Sequence, residues 1–297
     1  MRILILSRNS ELYSTKSLFN AARRRNHFVR VIDHMHCNLL VSNSGNKLYY
    51  YDQLIDGYDA IIPRIGHTVT KQGEAVIRHF ESMNVYTVLR AEALLRARDK
   101  LSCLQLLASR GVKVPETIFI SSQYSVDKLT ELIPGYPKII KLLSGTHGLG
   151  VLKTDNRSNM DATLELLAGL KQRSLLQEFI SESSGMDVRA FVVDNQVVAS
   201  MKRQAQEGEF RSNLHRGGHG TKVTLTQEEE TAAIAAARYM GLKVAGVDML
   251  ISDNGPLIIE VNASPGLEGI ETYTGVDVAK TIIQLIERKA LLIKKPK

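Results

Sequence analysis

Short apolar runs alternate with amphipathic stretches through the first third of the chain. Ile3–Leu6 predicts a buried strand, and the helical spacing of apolar residues over 12–25 predicts a helix after it. Apolar runs at Val29–Ile32, Ala60–Ile62 and Val85–Val88 predict three further strands. Strands that alternate with helices favour a parallel sheet covered by helices, so we expect an α/β domain here.

The pattern changes over residues 90–115, where a helical stretch is interrupted near Asp99 and ends at Gly111. We place a domain boundary in this region. The chain beyond it is predicted to be rich in strands, at 117–120, 138–143, 175–180, 187–193, 197–203, 244–251 and 257–261, with a turn of strand directly after 144–150. Helices are predicted to begin near Ser125 and to cover 160–170, 227–240 and 277–293.

Composition places the chain among ordinary globular proteins. Of its 297 residues, 44% are hydrophobic and 23% are charged, which allows a large core. Two cysteines, Cys37 and Cys103, are too few for a disulfide scaffold. The apolar run at the start is too short for a signal peptide, and nothing approaches the roughly 18 apolar residues of a membrane helix. We therefore expect a cytoplasmic protein without membrane contact.

Positive charge is concentrated in the first third of the chain. The net charge is +7, and residues 1–100 carry 15 basic and 9 acidic side chains, whereas the remainder is nearly balanced. Such an excess attracts nucleic acid, a membrane surface or acidic substrates, and charge alone does not separate these partners.

Several common catalytic motifs are absent. The turn after the first strand, SRNSELY, has no glycine, which excludes a dinucleotide fingerprint there, and no Gly-Lys pair occurs for a Walker P-loop. The chain also lacks C-x-x-C, H-E-x-x-H and G-x-S-x-G. Its chemistry must depend on other groups of residues.

A glycine-rich loop follows the predicted strand that ends with Lys141. Gly145, Gly148 and Gly150 would let backbone amides approach phosphate oxygens, and the lysine would supply a point charge. A simple turn between two strands would carry the same letters, so both interpretations stay open.

Oxygen-bearing side chains interrupt two apolar strands predicted to form an antiparallel hairpin. Glu260 and Asn262 are two residues apart and so share a face, and Asp248 lies on the facing strand. Carboxylates amid apolar residues are costly to bury without a partner. Three oxygen ligands suit Mg²⁺ or Mn²⁺, and the alternative is an exposed strand face.

Arginines are the candidate anion ligands. Arg211 and Asn213 are two apart in FRSNLHRGG and could share a face toward phosphate, with Arg203 upstream. A basic surface loop is the alternative interpretation. Arg64 comes directly after a predicted strand, and open α/β sheets bind ligands at the carboxyl ends of their strands.

Together these segments resemble the RimK family of α-L-glutamate ligases, within the ATP-grasp superfamily. The resemblance covers almost the whole chain. It is carried, in order, by ILSRNSELYS, PRIG, RARDKLSCLQLLA, KLLSGTHGLGV, LQEFI, EGEFRSNLHRGG and EVNASPGLEGIE. The last two segments are typical of RimK-like ligases rather than of ATP-grasp enzymes generally.

The resemblance implies an α/β ATP-grasp fold in three parts. Residues 1–95 would form a pre-ATP-grasp domain with a parallel sheet. Residues 96–185 would form the first ATP-grasp lobe with the glycine loop, and residues 186–297 the second lobe with the metal site.

The resemblance also assigns roles to the matching positions. The residues expected to bind ATP are Lys100, Lys141, Gly145, Gly148, Gly150, Glu178, Phe179, Asp187, Arg211, Ser212 and Asn213. Asp248, Glu260 and Asn262 would hold two Mg²⁺ or Mn²⁺ ions. Beyond what the resemblance implies, we expect Arg203 or Arg211 to stabilise the oxyanion during catalysis and Arg64 to help hold a substrate carboxylate.

The implied reaction is ATP-dependent ligation of a carboxylate to the α-amine of L-glutamate through an acyl phosphate. The acceptor would be the C-terminus of a small-subunit ribosomal protein or an oligoglutamate chain. A homotetramer is expected by analogy, and ribosome contact through the basic N-terminal third stays open. The alternatives are an ATP-grasp ligase with another acid or amine, and a non-catalytic ribosome- or RNA-binding protein.

Overall fold

The computed structural model describes residues 1–121, 128, 131–143, 150–183, 185–214 and 217–293. The strands are β1 (Arg2–Leu6), β2 (Phe28–Ile32), β3 (Cys37–Leu40), β4 (Lys47–Tyr50), β5 (Gln53–Ile55), β6 (Ala60–Pro63), β7 (Tyr86–Thr87), β8 (Thr117–Ile120), β9 (Lys138–Leu142), β10 (Val151–Thr154), β11 (Ser174–Glu178), β12 (Met186–Val193), β13 (Gln196–Gln204), β14 (His219–Lys222), β15 (Val244–Ser252) and β16 (Gly255–Asn262). The helices are α1 (Tyr13–Arg24), α2 (Thr70–Ser82), α3 (Ala91–Arg98), α4 (Lys100–Ser109), α5 (Arg157–Gly169), α6 (Gln227–Tyr239), α7 (Glu268–Thr274) and α8 (Val278–Ile293). None of these helices combines the length and the apolar character needed to cross a bilayer.

A parallel sheet in the order β2–β1–β6–β7 forms the core of the N-terminal part, as the strand–helix alternation predicts. Ile3–Leu6 in the central strand β1 are 0% exposed. The side chains of this strand are apolar on both faces of the sheet, so both faces must be packed against other parts of the chain. The carboxyl ends of β1 and β6 lie side by side, with Leu6 opposite Pro63. Arg64 follows at this edge, and its backbone N–H donates to the Leu6 carbonyl at 2.8 Å.

A small antiparallel sheet of β3, β4 and β5 is attached to this domain and was not predicted. Each strand has only three or four residues, and its buried side chains are few, such as Leu48 and Ile55. Alternation over so short a run gives little periodic signal.

Two antiparallel sheets form the rest of the chain, in the orders β10–β9–β11–β8 and β14–β13–β12–β15–β16. The structure confirms the predicted strands and adds β14 and the short helix α7. Ser125, where a helix was expected to begin, lies outside the described residues. Each of the larger sheets falls within one of the expected units 1–95, 96–185 and 186–297, whose boundaries stay a prediction.

The hydrophobic core is divided unequally between the sheets. One continuous cluster runs through the N-terminal and C-terminal sheets, with Phe80 and Phe191 among its largest buried side chains. The sheet containing β9 and β11 has its own small cluster, in which Ile140 and Leu176 meet Met160 of α5. The sheet β10–β9–β11–β8 therefore has an apolar core of its own, whereas α4 packs into the larger cluster through Cys103 and Leu107.

Ionic contacts join the N-terminal domain to the last helix. Arg25 donates Nε and Nη2 to the two carboxylate oxygens of Glu287, at 2.8 and 2.7 Å. His27 Nε2 lies 2.7 Å from the same carboxylate, and Arg24 pairs with Asp277. Part of the excess positive charge in the first third is therefore neutralised by carboxylates near the C-terminal end of the chain.

Candidate functional site

A cavity lies between the two antiparallel sheets. Its polar lining residues include Lys100, Lys141, Gln177, Glu178, Asp187, Arg203, Arg211, Ser212, Asn213, Asp248 and Glu260. Its apolar lining residues include Ile139, Val151, Phe179, Ile180, Met186, Phe210, Leu250 and Ile259. The cavity therefore joins an apolar wall to a strongly charged wall, as small-molecule sites do. Of the apolar wall, the sequence pointed to Phe179 alone, because most of the other members are ordinary strand residues.

The predicted hairpin holds two of the expected metal ligands directly opposite each other. β15 and β16 pair antiparallel with Asp248 opposite Glu260, as predicted. The register then shifts so that Met249 pairs with Ile258, which leaves Ile259 as an extra residue. Both Ile259 and Glu260 consequently line the cavity, an effect that β-bulges commonly have beside functional sites. Glu260 is an exposed side chain, whereas Asp248 is only 3% exposed.

Buried ion pairs cross the floor of the cavity on three adjacent strands. Arg203 on β13 donates Nε and Nη2 to Asp187 on β12 at 2.6 and 2.5 Å, and its Nη2 lies 3.0 Å from Asp248 on β15. Arg189 on β12 donates Nε and Nη2 to Asp248, both at 2.6 Å. Arg203 and both carboxylates are at least 94% buried as side chains.

The protonation states of these groups follow from their pairing. Burial opposes ionisation of Asp248, but the charges of Arg189 and Arg203 hold its pKa below the ordinary value. Burial likewise opposes the charge of Arg203, whose pKa is nevertheless raised by Asp248 and Asp187. Sequence reasoning missed Arg189; its spacing of two from Asp187 on one strand was the available signal.

Two lysines approach the charged wall from the other sheet and from α4. Lys100 donates Nζ to the Leu143 carbonyl at 3.3 Å, and burial lowers its pKa. Burial also lowers the pKa of Lys141 to about 8, with a further contribution from the like charge of Lys100 and an opposing one from Glu260. Both predicted lysines therefore line the same cavity as Glu260.

Arg211 reaches across the cavity mouth. Its Nε and Nη2 donate to the two carboxylate oxygens of Glu209 at 2.9 and 2.7 Å, and its Nη1 donates to the Val151 carbonyl at 3.4 Å. The hydrogen bonds from Arg211 lower the pKa of Glu209 to about 2. Ser212 and Asn213 line the cavity beside it.

The remaining expected ligands border the cavity or fall outside the description. The Glu178 backbone N–H donates to the Glu116 carbonyl at 3.1 Å, and its carboxylate accepts the Glu116 N–H at 2.8 Å. Gly150 has a φ of +74°, and a Cβ there would meet Leu142 at 2.9 Å, so only glycine fits. Gly145 and Gly148 lie outside the described residues. Arg64 does not line the cavity; its Nη2 donates to the Pro265 carbonyl at 2.8 Å.

The oxygen donors fit a divalent cation. Asn262 donates Nδ2 to Asp248 at 3.5 Å, which leaves its amide oxygen as an acceptor beside the Glu260 carboxylate. Across the described ranges no three His, Cys, Asp or Glu side chains form a metal cluster. Two carboxylates and one amide therefore make a partial hard-oxygen set, suited to Mg²⁺ or Mn²⁺ that takes its other ligands from phosphate and water.

Comparison with known families accounts for nearly the whole chain. Residues 97–286 match the RimK-like ATP-grasp domain, and residues 1–94 match the RimK pre-ATP-grasp domain. The chain is 51% identical over 290 residues to a probable alpha-L-glutamate ligase of Hydrogenovibrio crunogenus, covering 98% of this chain and 96% of that protein. A relative of the same name from Vibrio cholerae is 48% identical with the same coverage.

Solved structures share the fold at much lower identity. The ATP-grasp ligase PsnB complexed with a minimal precursor, Mg and ADP superposes with a TM-score of 0.76 at 18% identity, covering 98% of each chain. D-alanine–D-alanine ligase from Bacillus anthracis complexed with ATP gives 0.69 at 18% identity, covering 99% of this chain and 98% of that one. The ATP-grasp fold with an N-terminal parallel-sheet domain, expected from the sequence, is thereby confirmed. The chain belongs to the RimK family of ATP-grasp enzymes and is an ATP-dependent ligase.

Proposed function

We propose that this ligase joins a peptide carboxylate to the α-amine of L-glutamate. The acceptor carboxylate attacks the γ-phosphate of ATP and releases ADP, and the amine then attacks the acyl carbon and expels phosphate. The observation that carries the proposal is the cavity in which cations from two sheets surround Glu260, in a chain about half identical to named glutamate ligases. Such a wall suits a reaction in which every reactant is an anion.

The residues of the charged wall divide the work of binding ATP. Lys100, Lys141 and Arg211 would neutralise the phosphates, with Ser212 and Asn213 beside them. The apolar wall around Ile139 and Leu250 would hold the adenine ring, next to Glu178 and Phe179. Asp187 would contact the ribose while held in place by Arg203. Arg203 and Arg211 are the arginines proposed for the oxyanion. Arg203 uses Nε and Nη2 in its ion pairs, so its Nη1 would be the donor to the oxyanion.

Asp248, Glu260 and Asn262 would hold two Mg²⁺ or Mn²⁺ ions. Bound divalent cations would neutralise charge on the transferring phosphoryl group. Arg189 and Arg203 would keep Asp248 ionised and fixed in orientation, so the carboxylate is preorganised for a cation.

The proposed acceptor is the C-terminus of a small-subunit ribosomal protein or an oligoglutamate chain. The enzyme should be incubated with ATP, Mg²⁺, glutamate and peptides of each kind, and the products weighed by mass spectrometry. We expect peptides extended by one or more glutamates, with one ADP released for each residue added. ADP release with another amino acid, and no glutamate-extended product, would contradict the choice of glutamate and leave the ligase class intact.

Lys141 predicts a dependence of ATP affinity on pH. Its amine is charged below its pKa of about 8 in the free enzyme and neutral above it, so binding of anionic ATP should weaken as the pH rises. Between about pH 7.5 and 9 the dissociation constant should increase about tenfold. Titration calorimetry of wild type and of Lys141→Arg measures this, because arginine stays charged and should flatten the profile.

A matched control for this titration is Lys222→Arg, at an exposed position on β14. This variant should keep the wild-type profile. A wild-type dissociation constant that does not change over the same pH range would contradict the role of Lys141.

A further inference from the structure

Two arginines lie next to each other at the carboxyl edge of the N-terminal parallel sheet. Arg64 follows β6, and Arg98 ends α3 and donates Nη2 to the Ile65 carbonyl at 2.6 Å. Arg64 in turn donates Nη2 to the Pro265 carbonyl, in the loop that follows the metal-site strand β16. The two guanidinium groups therefore meet at the junction of the N-terminal domain, α3 and the 263–267 loop.

Neither guanidinium forms an ion pair with a carboxylate in the described part of the chain, although the charge of Glu260 acts on Arg98. Arg98 Nε is a buried donor without a hydrogen-bond partner. Burial and the neighbouring charge of Arg98 lower the pKa of Arg64 to about 10. By contrast, Arg189 and Arg203 are each paired with a carboxylate.

A second buried group without a hydrogen-bond partner lies in the 263–267 loop. The hydroxyl oxygen of Ser264 is buried without a hydrogen-bond partner, and Ser264 directly precedes the Pro265 carbonyl that holds Arg64. Burial of two arginine charges and a hydroxyl that lacks a partner costs free energy of folding. A bound anion would lower this cost, because it supplies the opposite charge and accepts hydrogen bonds. Each of the three residues also keeps partial exposure, so a ligand can reach the group.

The position of this group separates it from the ATP cavity. Arg64, Arg98 and Ser264 do not line that cavity, whereas Lys100, two residues beyond Arg98, does. Burial lowers the pKa of Arg98, and the charge of Glu260, which lines the cavity, opposes that effect. A ligand here would lie beside the reacting phosphate and outside the nucleotide site.

We infer that Arg98, together with Arg64 and Ser264, forms the binding site for a non-reacting carboxylate of the amino-acid substrate. The planar guanidinium forks match a carboxylate, and the Ser264 hydroxyl adds a neutral donor. The assignment rests on the proposed function, since it requires an amino acid as the amine substrate. It makes Arg98 a specificity-determining residue that the sequence did not single out.

The test compares steady-state kinetics of wild type, Arg98→Ala and Arg98→Lys with L-glutamate, ATP and the acceptor peptide each varied in turn. We expect the KM for glutamate to rise about 10- to 100-fold in Arg98→Ala, with the KM for ATP nearly unchanged and partial recovery in Arg98→Lys. L-Glutamine and the α-amide of glutamate each lack one carboxylate charge. The analogue that lacks the bound carboxylate should react poorly with wild type, and Arg98→Ala should no longer distinguish it from glutamate.

Arg96→Ala is the matched structural control. Arg96 is also on α3 and also donates to a carbonyl, that of Met240 at 3.2 Å, but it lies away from the proposed site. This variant should leave the KM for glutamate within about twofold. Equal increases in the KM for ATP and glutamate in Arg98→Ala, or an unchanged KM for glutamate, would overturn the carboxylate site.

A screen of the twenty amino acids as amine substrates separates this inference from the proposed function. If wild type releases ADP with a different amino acid only, the choice of glutamate is wrong, and the same variants then decide the carboxylate site with the amino acid that reacts. If Arg98→Ala leaves the KM for that amino acid unchanged, the carboxylate site is wrong while ligase activity stands.

Discussion

Replacement of Glu260 by glutamine is expected to lower ATP-dependent ADP release about a thousandfold, or roughly 4 kcal/mol of transition-state stabilisation. Glutamine keeps the shape of the side chain but removes the negative charge that faces Lys100, Lys141 and Arg98. The proposed cations would then lose their central ligand. Coupled-enzyme measurement of ADP over a range of Mg²⁺ concentrations should show both a lower maximal rate and a higher half-saturating Mg²⁺ concentration.

Glu165→Gln provides the control for charge removal as such. Glu165 is an exposed residue on α5 that does not line the cavity, and its replacement should leave the rate unchanged. Because Glu260 is exposed, Glu260→Gln should also keep the wild-type unfolding midpoint. Full turnover by Glu260→Gln would refute the metal assignment.

Replacement of Arg203 by alanine is expected to destabilise the C-terminal lobe by about 3–5 kcal/mol. The arginine is 3% exposed and binds two carboxylates that are themselves buried, so its removal leaves Asp187 without its bidentate partner. An uncompensated buried carboxylate costs more than the ion pair itself contributes. Thermal unfolding followed by circular dichroism should show a markedly lower midpoint than wild type.

Lys202→Ala is the matched control for this measurement. Lys202 is the preceding residue on β13, so its side chain points to the opposite face of the sheet, and it is only half-buried. This variant should unfold within about 0.5 kcal/mol of wild type. If Arg203→Ala unfolds at the wild-type midpoint, the buried ion pairs would not be what orders the cavity floor.

The larger strands and helices could be predicted from the sequence, because their apolar periodicity extends over enough residues to be recognised. β12, β13, β15 and β16 are eight or nine residues each, and all four were predicted. β3, β4 and β5 were missed, since three or four residues of mixed polarity do not distinguish a strand from a loop. The short helix α7 was missed because its seven residues make only about two helical turns, too few for a clear apolar periodicity.

The candidate site was predictable where polar residues interrupt apolar strands. Asp248 and Glu260 stand out in this way, and the hairpin turn between them indicates that they face each other. Arg98 was not singled out, because nothing in its local sequence shows whether it has a carboxylate partner. For Arg189 the one local signal was its spacing of two residues from Asp187. The bulge at Ile259, which turns Glu260 into the cavity, is a property of the strand register and has no signature in the residue pattern.

The sequence by itself determined the ATP-grasp family, the antiparallel hairpin with its oxygen donors, and the parallel sheet that precedes it. These follow from local periodicity and from motifs whose spacing is short. Only the tertiary structure decided how charges separated by tens of residues are matched. Arg203 is neutralised by Asp187 and Asp248, whereas no carboxylate among the described residues forms an ion pair with Arg64 or Arg98. The physical reason is that the free-energy cost of a buried charge depends on which groups the fold brings within a few ångströms of it. The local residue pattern does not contain this information.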